Sequence, residues 1–219
     1  SFEKFYAMDD ECKSVDDIFS DSDVKYVYVA SNHSSHFSYA IRAIQFGKAV
    51  YIEKPIAVSM AQFSQLSNGI ESAKEPVYFG YNRPFSKAIV RLRDRCKNVS
   101  GPITLSCFIY GHMLDADHWY RHPEEGTRVC GNLGHWIDLA VHLLSWQELV
   151  DEWNINITYS NCNDRDDNFS VVLSSARGDL IMLTITSRNE PYEGICENIQ
   201  LQWGEINARI DDFRLMKVE

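Results

Sequence analysis

Residues 24–55 read VKYVYVASNHSSHFSYAIRAIQFGKAVYIEKP. Residues 24–30 are an apolar strand, and residues 31–35 are a polar loop. The helix that follows has an apolar face built from Ala40, Ile41, Ala43, Ile44 and Phe46. A second strand, Ala49–Ile52, runs into Glu53-Lys54-Pro55. Strand, helix and strand in this order form one crossover of a parallel sheet. Ligands of such sheets lie beyond the carboxyl ends of the strands. Asn32-His33 and Glu53-Lys54 both fall at that edge, which makes them the first candidates for a site.

Outward from this unit, Ser14 and Asp17 form a helix cap before Ile18-Phe19. Ser59 caps a helix expected to reach residue 73, and residues 77–81 read as a third strand. Residues 85–97 read as a helix with Ile89, Val90 and Leu92 inward. After the Ser100-Gly101-Pro102 turn the texture changes. Residues 103–110, 153–159, 168–174, 180–187, 198–203 and 206–210 are strand-like, and many alternate apolar with polar side chains. Such alternation suits an antiparallel sheet with one buried face. One helical stretch, residues 132–149, interrupts them. The expected fold class is therefore α/β followed by α+β. A partial, doubly wound parallel-sheet domain at 1–99 precedes an open, mostly antiparallel sheet domain at 100–219 with helices on one face.

The chain has 219 residues, 45% of them hydrophobic and 24% charged, which is ordinary globular composition. A formal charge of −10 without a basic stripe argues against a nucleic-acid partner. No apolar run approaches the ~20 residues of a membrane span, and residues 1–10 are polar rather than signal-like. Cys12, Cys96, Cys107, Cys130, Cys162 and Cys196 are scattered without a C-x-x-C, so reduced thiols in a cytoplasmic protein are expected and a zinc knuckle is not.

A dinucleotide domain opens with strand, G-x-G-x-x-G and helix. None of the 11 glycines forms a G-x-G. Residues before Val24 are too few for that first strand, helix and second strand. The expectation is a chain lacking this βα unit, by natural truncation or as a fragment.

The chain resembles the Gfo/Idh/MocA family of sugar-type oxidoreductases. Its first hallmark, V-x-I-A-T-P-N-H-x-x-H followed by A-G-K-x-V and E-K-P, is similar to Val27-Tyr-Val-Ala-Ser-Asn-His-Ser-Ser-His36, Phe46-Gly-Lys-Ala-Val50 and Glu53-Lys54-Pro55. Gly80-Tyr-Asn-Arg83 looks like the family's G-x-N-R-R. The second hallmark, G-G-G-x-L-x-D-x-G-x-H-x-x-D, is matched by residues 125–138, with His135 on the histidine and Asp138 on the trailing aspartate. Gly131 stands where the motif has its first aspartate, and Leu133 where it has a glycine. Asp117-His-Trp119 and Ile210-Asp-Asp-Phe-Arg214 look like a subgroup found in polysaccharide biosynthesis.

The resemblance implies a Rossmann-like nucleotide-binding domain and a hydride transfer between NAD or NADP and a sugar or nucleotide sugar. It implies Lys54, His135 and Asp138 as catalytic residues. Ser31, Asn32, His33, Glu53 and Lys54 would hold the cofactor, and Arg83, Trp119 and Asn132 the substrate. It also implies a homo-oligomer formed through the C-terminal sheet.

The residue types suit that chemistry. Oxidising a carbinol needs a base near neutrality, which favours His135. A cation such as Lys54 steadies the developing oxyanion. Asp138 lies one helical turn after His135, where it can orient the imidazole or bind a sugar hydroxyl. Pro55 keeps Lys54 extended, so its side chain leaves the strand end.

Two other readings stay open. Without the glycine-rich loop the chain can be an inactive remnant that serves as a binding or oligomerisation module. His135, Asp138 and His142, at i, i+3 and i+7, also form a helix face that a metal-dependent hydrolase or isomerase could use, although no metal is the expectation.

Overall fold

A computed structural model describes residues 14–161, 166–189 and 194–219, so Cys12, Cys162 and the N-terminal segment lie outside the described residues. The chain divides into two compact units. One holds the described residues through Tyr81 together with Trp119–Asn132, and the other holds Asn82–His118 with Leu133–Glu219. A single break between residues 99 and 100 was the sequence expectation. The chain instead crosses three times, because the helix after Tyr81 packs its apolar side in the second unit and the segment at 119–132 packs in the first.

The first unit is a three-stranded parallel sheet in the order β1 (Tyr26–Val29), β2 (Ala49–Ile52) and β3 (Val77–Phe79). The helices are α1 (Val15–Ser20), α2 (His33–Gln45) and α3 (Met60–Glu71). Val29, Val50 and Ile52 of the sheet pack with Ala40 and Ala43 of α2, Leu66 of α3 and Phe19 of α1. This is the apolar stripe read from the sequence, and burying it drives the crossover to fold onto one sheet face. The opposite face carries a register row of tyrosines, Tyr28 beside Tyr51 beside Tyr78. Lys48, buried at the start of β2, donates to the carbonyls of Asp21 (2.6 Å) and Val24 (2.7 Å) and so anchors the lead into β1.

α2 begins at His33, three residues earlier than the polar loop suggested. Asn32 sits at the cap position without a side-chain cap of its own. Glu125, far along the chain, supplies the missing acceptor, and no local pattern can announce that. Ser59 caps α3 through the Gln62 amide, as the sequence indicated.

The second unit is a seven-stranded sheet in the order β10-β9-β8-β4-β7-β6-β5. Its strands are β4 (Ile103–Tyr110), β5 (Trp153–Tyr159), β6 (Phe169–Ser175), β7 (Leu180–Thr186), β8 (Cys196–Trp203), β9 (Ile206–Asp211) and β10 (Leu215–Val218). Only β4 and β7 pair in parallel; the other described pairs are antiparallel. Ile103, Leu105, Cys107 and Ile109 bury one face together with Ile181, Leu183 and Ile185. Among the described residues, the α-helices of this unit are α4 (Lys87–Arg95) and α5 (Gly134–Leu144). Trp136, Leu139, Ala140, Leu143 and Leu144 form the buried stripe of α5.

Three details differ from the sequence reading. Val90 is 54% exposed, because the buried side of α4 runs through Ala88, Ile89 and Leu92. The helical stretch at 132–149 is shorter: a π turn at Val129–Leu133 leads into α5, which ends at Leu144. β10 was missed. Its turn uses Asp212 (φ 51°) and Phe213 (φ 54°), a primed-turn backbone without the usual Asn-Gly signal.

Candidate functional site

The carboxyl edge of the small sheet gathers most of the candidates. Lys54 leaves the end of β2, and its Nζ donates to the Gly131 carbonyl (3.0 Å) and to the Tyr120 hydroxyl (3.4 Å). The Asn132 amide donates to the same Gly131 carbonyl (3.1 Å) and accepts from Arg128 Nε (3.2 Å). One carbonyl thus uses both lone pairs, one for Lys54 and one for Asn132.

His33 is buried beside this cation. Its Nδ1 donates to the Glu125 carbonyl (3.1 Å), since a carbonyl only accepts. Burial pushes its pKa down to about 4; the hydrogen bond to Glu125 opposes this, and the charge of Lys54 adds to it. His33 is therefore a neutral ring whose Nε2 is an acceptor. Trp119 and Tyr120 each lie with ring centroids 4.6 Å from His33.

Glu125 closes the N-terminus of α2. Its carboxylate accepts from the Ser34 amide (2.9 Å), the Ser34 hydroxyl (2.9 Å) and Asn32 Nδ2 (2.8 Å). Burial acts to raise its pKa, but the bonds from Asn32 and Ser34 outweigh it and hold the carboxyl below its usual range. A carboxylate there meets otherwise unpaired amides and the positive end of the helix dipole.

His36 ties two loops together: Nδ1 faces the Pro55 carbonyl (2.8 Å) and Nε2 the Ser31 carbonyl (2.9 Å). Ser31 Oγ pairs with Ser35 Oγ (2.6 Å). Glu53 turns to the tyrosine face, where Tyr28 donates to it at 2.8 Å. That bond, with some burial, pushes the Tyr28 pKa up to about 12. Gly80 leaves room for it: a Cβ there would meet Glu53 Oε2 at 2.7 Å and the Glu53 backbone at 3.1 Å. Gly131 is constrained in the same way, since a Cβ would meet His33 Cε1 at 2.7 Å and Tyr120 Cε2 at 2.9 Å.

The second unit carries Arg83, His135 and Asp138. Arg83 grips Glu197 in a fork, Nε to Oε2 at 2.7 Å and a terminal nitrogen to Oε1 at 2.8 Å. The buried Trp136 indole donates to Glu197 at 2.6 Å, and the Arg83 guanidinium lies 4.8 Å over its ring. These three residues fix the first turn of α5, which presents His135 and Asp138 on one side. Burial pushes the Asp138 carboxyl up to about 6, and its buried Oδ2 has no hydrogen-bond partner among the described residues. His142 packs against Trp146 and Phe85. No group of three His, Cys, Asp or Glu is arranged to hold a metal among the described residues.

Sequence reasoning singled out Ser31, Asn32, His33, Glu53, Lys54, Trp119 and Asn132 in the first unit, and Arg83, His135 and Asp138 in the second. It missed Tyr120, Glu125 and His36 as structural partners. The N-H-x-x-H spacing, which sets His33 and His36 on one helix face, was the one available signal. Nothing local marks Glu125.

The described residues fit the nicotinamide end of a dinucleotide, with a neutral imidazole, an ammonium and aromatic rings at a sheet's carboxyl edge. The glycine-rich first turn that cradles a diphosphate is not among the described residues.

The fold is a Rossmann-like α/β unit and an open-sheet unit. Residues 2–81 match the model described as "Oxidoreductase family, NAD-binding Rossmann fold". An uncharacterised oxidoreductase, YhhX of Escherichia coli K12, is 44% identical over 130 residues, 59% of this chain and 36% of that protein. An inositol 2-dehydrogenase of Salmonella typhimurium LT2 is 27% identical over 132 residues, 59% of this chain and 38% of that protein. A solved levoglucosan dehydrogenase, in complex with NADH and levoglucosan, superposes with a TM-score of 0.80 at 18% identity, covering 98% of this chain and 62% of that one. Over residues 2–81 this chain is similar to the Gfo/Idh/MocA oxidoreductase family. The match spans little more than a third of the curated relatives.

No described helix is long and apolar enough to cross a membrane.

Proposed function

We propose that the chain belongs to an NAD(P)-dependent oxidoreductase acting on a hydroxyl or keto group of a sugar, cyclic polyol or nucleotide sugar. The observation that carries this is the Lys54 ammonium, held by two oxygens at the carboxyl edge of the sheet beside a neutral His33. A bound nicotinamide supplies the hydride acceptor or donor. Lys54 then holds the substrate oxygen and stabilises negative charge on it. The family resemblance assigns the proton transfer to His135 and a catalytic role to Asp138. Ser31, Asn32, His33 and Glu53 shape the cofactor edge. Trp119, 40% exposed, offers a ring face to the apolar side of a sugar. Asn132 acts through the Gly131 carbonyl, and Arg83 through Glu197. The scattered cysteines support a cytoplasmic location, and the resemblance at Asp117-His-Trp119 and Ile210-Asp-Asp-Phe-Arg214 supports a role in carbohydrate metabolism, including polysaccharide biosynthesis.

The inactive-module reading is motivated by the absence of a G-x-G among the 11 glycines of this chain. Calorimetric titration with NADH and with NADPH separates the two. Micromolar binding, together with reduction of added NAD+ or NADP+ at the expense of levoglucosan, myo-inositol or a UDP-sugar and loss of that reduction in Lys54→Ala, supports the enzyme. No binding at millimolar cofactor supports the module.

Association through the open face of the large sheet belongs to either reading. Phe108 and Tyr110 are exposed there, among Thr104, Ser106, Gln200 and Gln202.

A further inference from the structure

Tyr120 is separated from Lys54 by 66 residues, yet its hydroxyl lies 3.4 Å from the lysine Nζ. Its ring has little freedom. It packs 4.6 Å from His33 and edge-on to Trp119 at 4.3 Å and 85°. The Lys54 Nζ also stands 6.0 Å from the centre of this ring, so cation and ring are near neighbours. Residue 131 can contribute only its backbone, because even a Cβ would collide with His33 and Tyr120. The space beside the ammonium is therefore taken by the phenol rather than by a side chain from position 131.

We propose that Tyr120 is a positioning residue for Lys54: its hydroxyl and the Gly131 carbonyl form a two-point cradle that aims the ammonium. Burial pushes the Tyr120 phenol above its ordinary range, so the oxygen that accepts from Lys54 is neutral. Both oxygens of the cradle are neutral, so neither cancels the charge of the cation they orient. The meaning of this for catalysis rests on the reading that Lys54 meets the reacting hydroxyl; the cradle itself does not.

The test is NMR of the whole chain with 13C-labelled lysine, with the Lys54 signal assigned by its disappearance in Lys54→Arg. In the wild-type chain, a fixed ammonium gives Lys54 two separate ε-proton shifts and cross-relaxation to the Tyr120 ring. Tyr120→Phe keeps the ring and removes the acceptor oxygen. The expected result is collapse of the ε-proton pair to one averaged shift, with the His33 and Trp119 ring signals in place. A pair that stays split in Tyr120→Phe overturns the cradle. Should that variant fail to fold, the wild-type spectrum decides: absence of Lys54–Tyr120 cross-relaxation overturns the proposal and its presence supports it. Failure of cofactor binding or turnover with the split pair intact defeats the functional reading and leaves the cradle standing.

Discussion

Glu125 brings its carboxylate to the Ser34 amide, 91 residues away in sequence. Charge-assisted caps of this kind matter because the first amides of a helix have no partner within it. Glu125→Ala should lower the unfolding free energy by about 1–2 kcal/mol, and Glu125→Gln by less, both read from urea denaturation. Gly131 is the second telling residue. Gly131→Ala forces contacts of 2.7 and 2.9 Å to yield, so a loss of about 1–3 kcal/mol is expected by the same measurement. Asp138 gives a pH prediction. Its folded pKa is raised to about 6 by burial, so the unfolded chain loses this proton first as pH rises. The native state is then penalised increasingly from pH ~4 to pH ~6 and by a constant amount above. Asp138→Asn should therefore raise the urea midpoint at pH 7.5, and the gain should fade as the pH is lowered through that window. A variant less stable than wild type at pH 7.5 would show that the carboxylate is held by bonds that offset its burial.

The elements of the large sheet owe their positions to both pattern and network. β4 alternates buried and partly exposed side chains along its whole length, and its bounds were legible because a period of two survives any tertiary context. α5 was legible as a helix, but its start was not. The π turn before it and the Arg83–Glu197–Trp136 network set where the regular helix begins, and Glu197 lies 61 residues from Trp136. Arg83 and Glu197 keep only 13% and 11% of their side chains exposed. Removing one partner strands the other, so Glu197→Ala should cost about 3 kcal/mol or more in equilibrium unfolding. Glu197→Gln, which keeps an acceptor for the indole, should cost less. β10 escaped notice because a four-residue strand behind an Asp-Phe turn carries no strong signal of its own.

At the scale of the molecule, the exposed face of the large sheet is mixed rather than apolar. Threonine, serine and glutamine surround Phe108 and Tyr110, so the face is compatible with water yet retains an aromatic anchor of the sort interfaces use. If two copies associate here, light scattering should give twice the chain mass, and Phe108→Asp should return it to the monomer while leaving the urea midpoint of the separated chain unchanged. A monomeric wild-type chain at high concentration would remove the interface.

What the sequence determined by itself was local and periodic. The strand–helix–strand crossover of residues 24–55, the alternating strands after residue 102, and the placing of Asn32-His33 and Glu53-Lys54 at one sheet edge all follow from side-chain spacing, which acts over a few residues. What only the tertiary structure decided was which distant groups fill the spaces beside them. Glu125 reaches the cap of α2, Tyr120 and the Gly131 carbonyl reach Lys54, and Glu197 reaches Arg83 and Trp136. Hydrogen bonds between side chains remote in the chain depend on how its compact parts pack and leave no period behind. The division at Tyr81, His118 and Asn132 was hidden for the same reason, since a chain crosses between packed units wherever burial favours it.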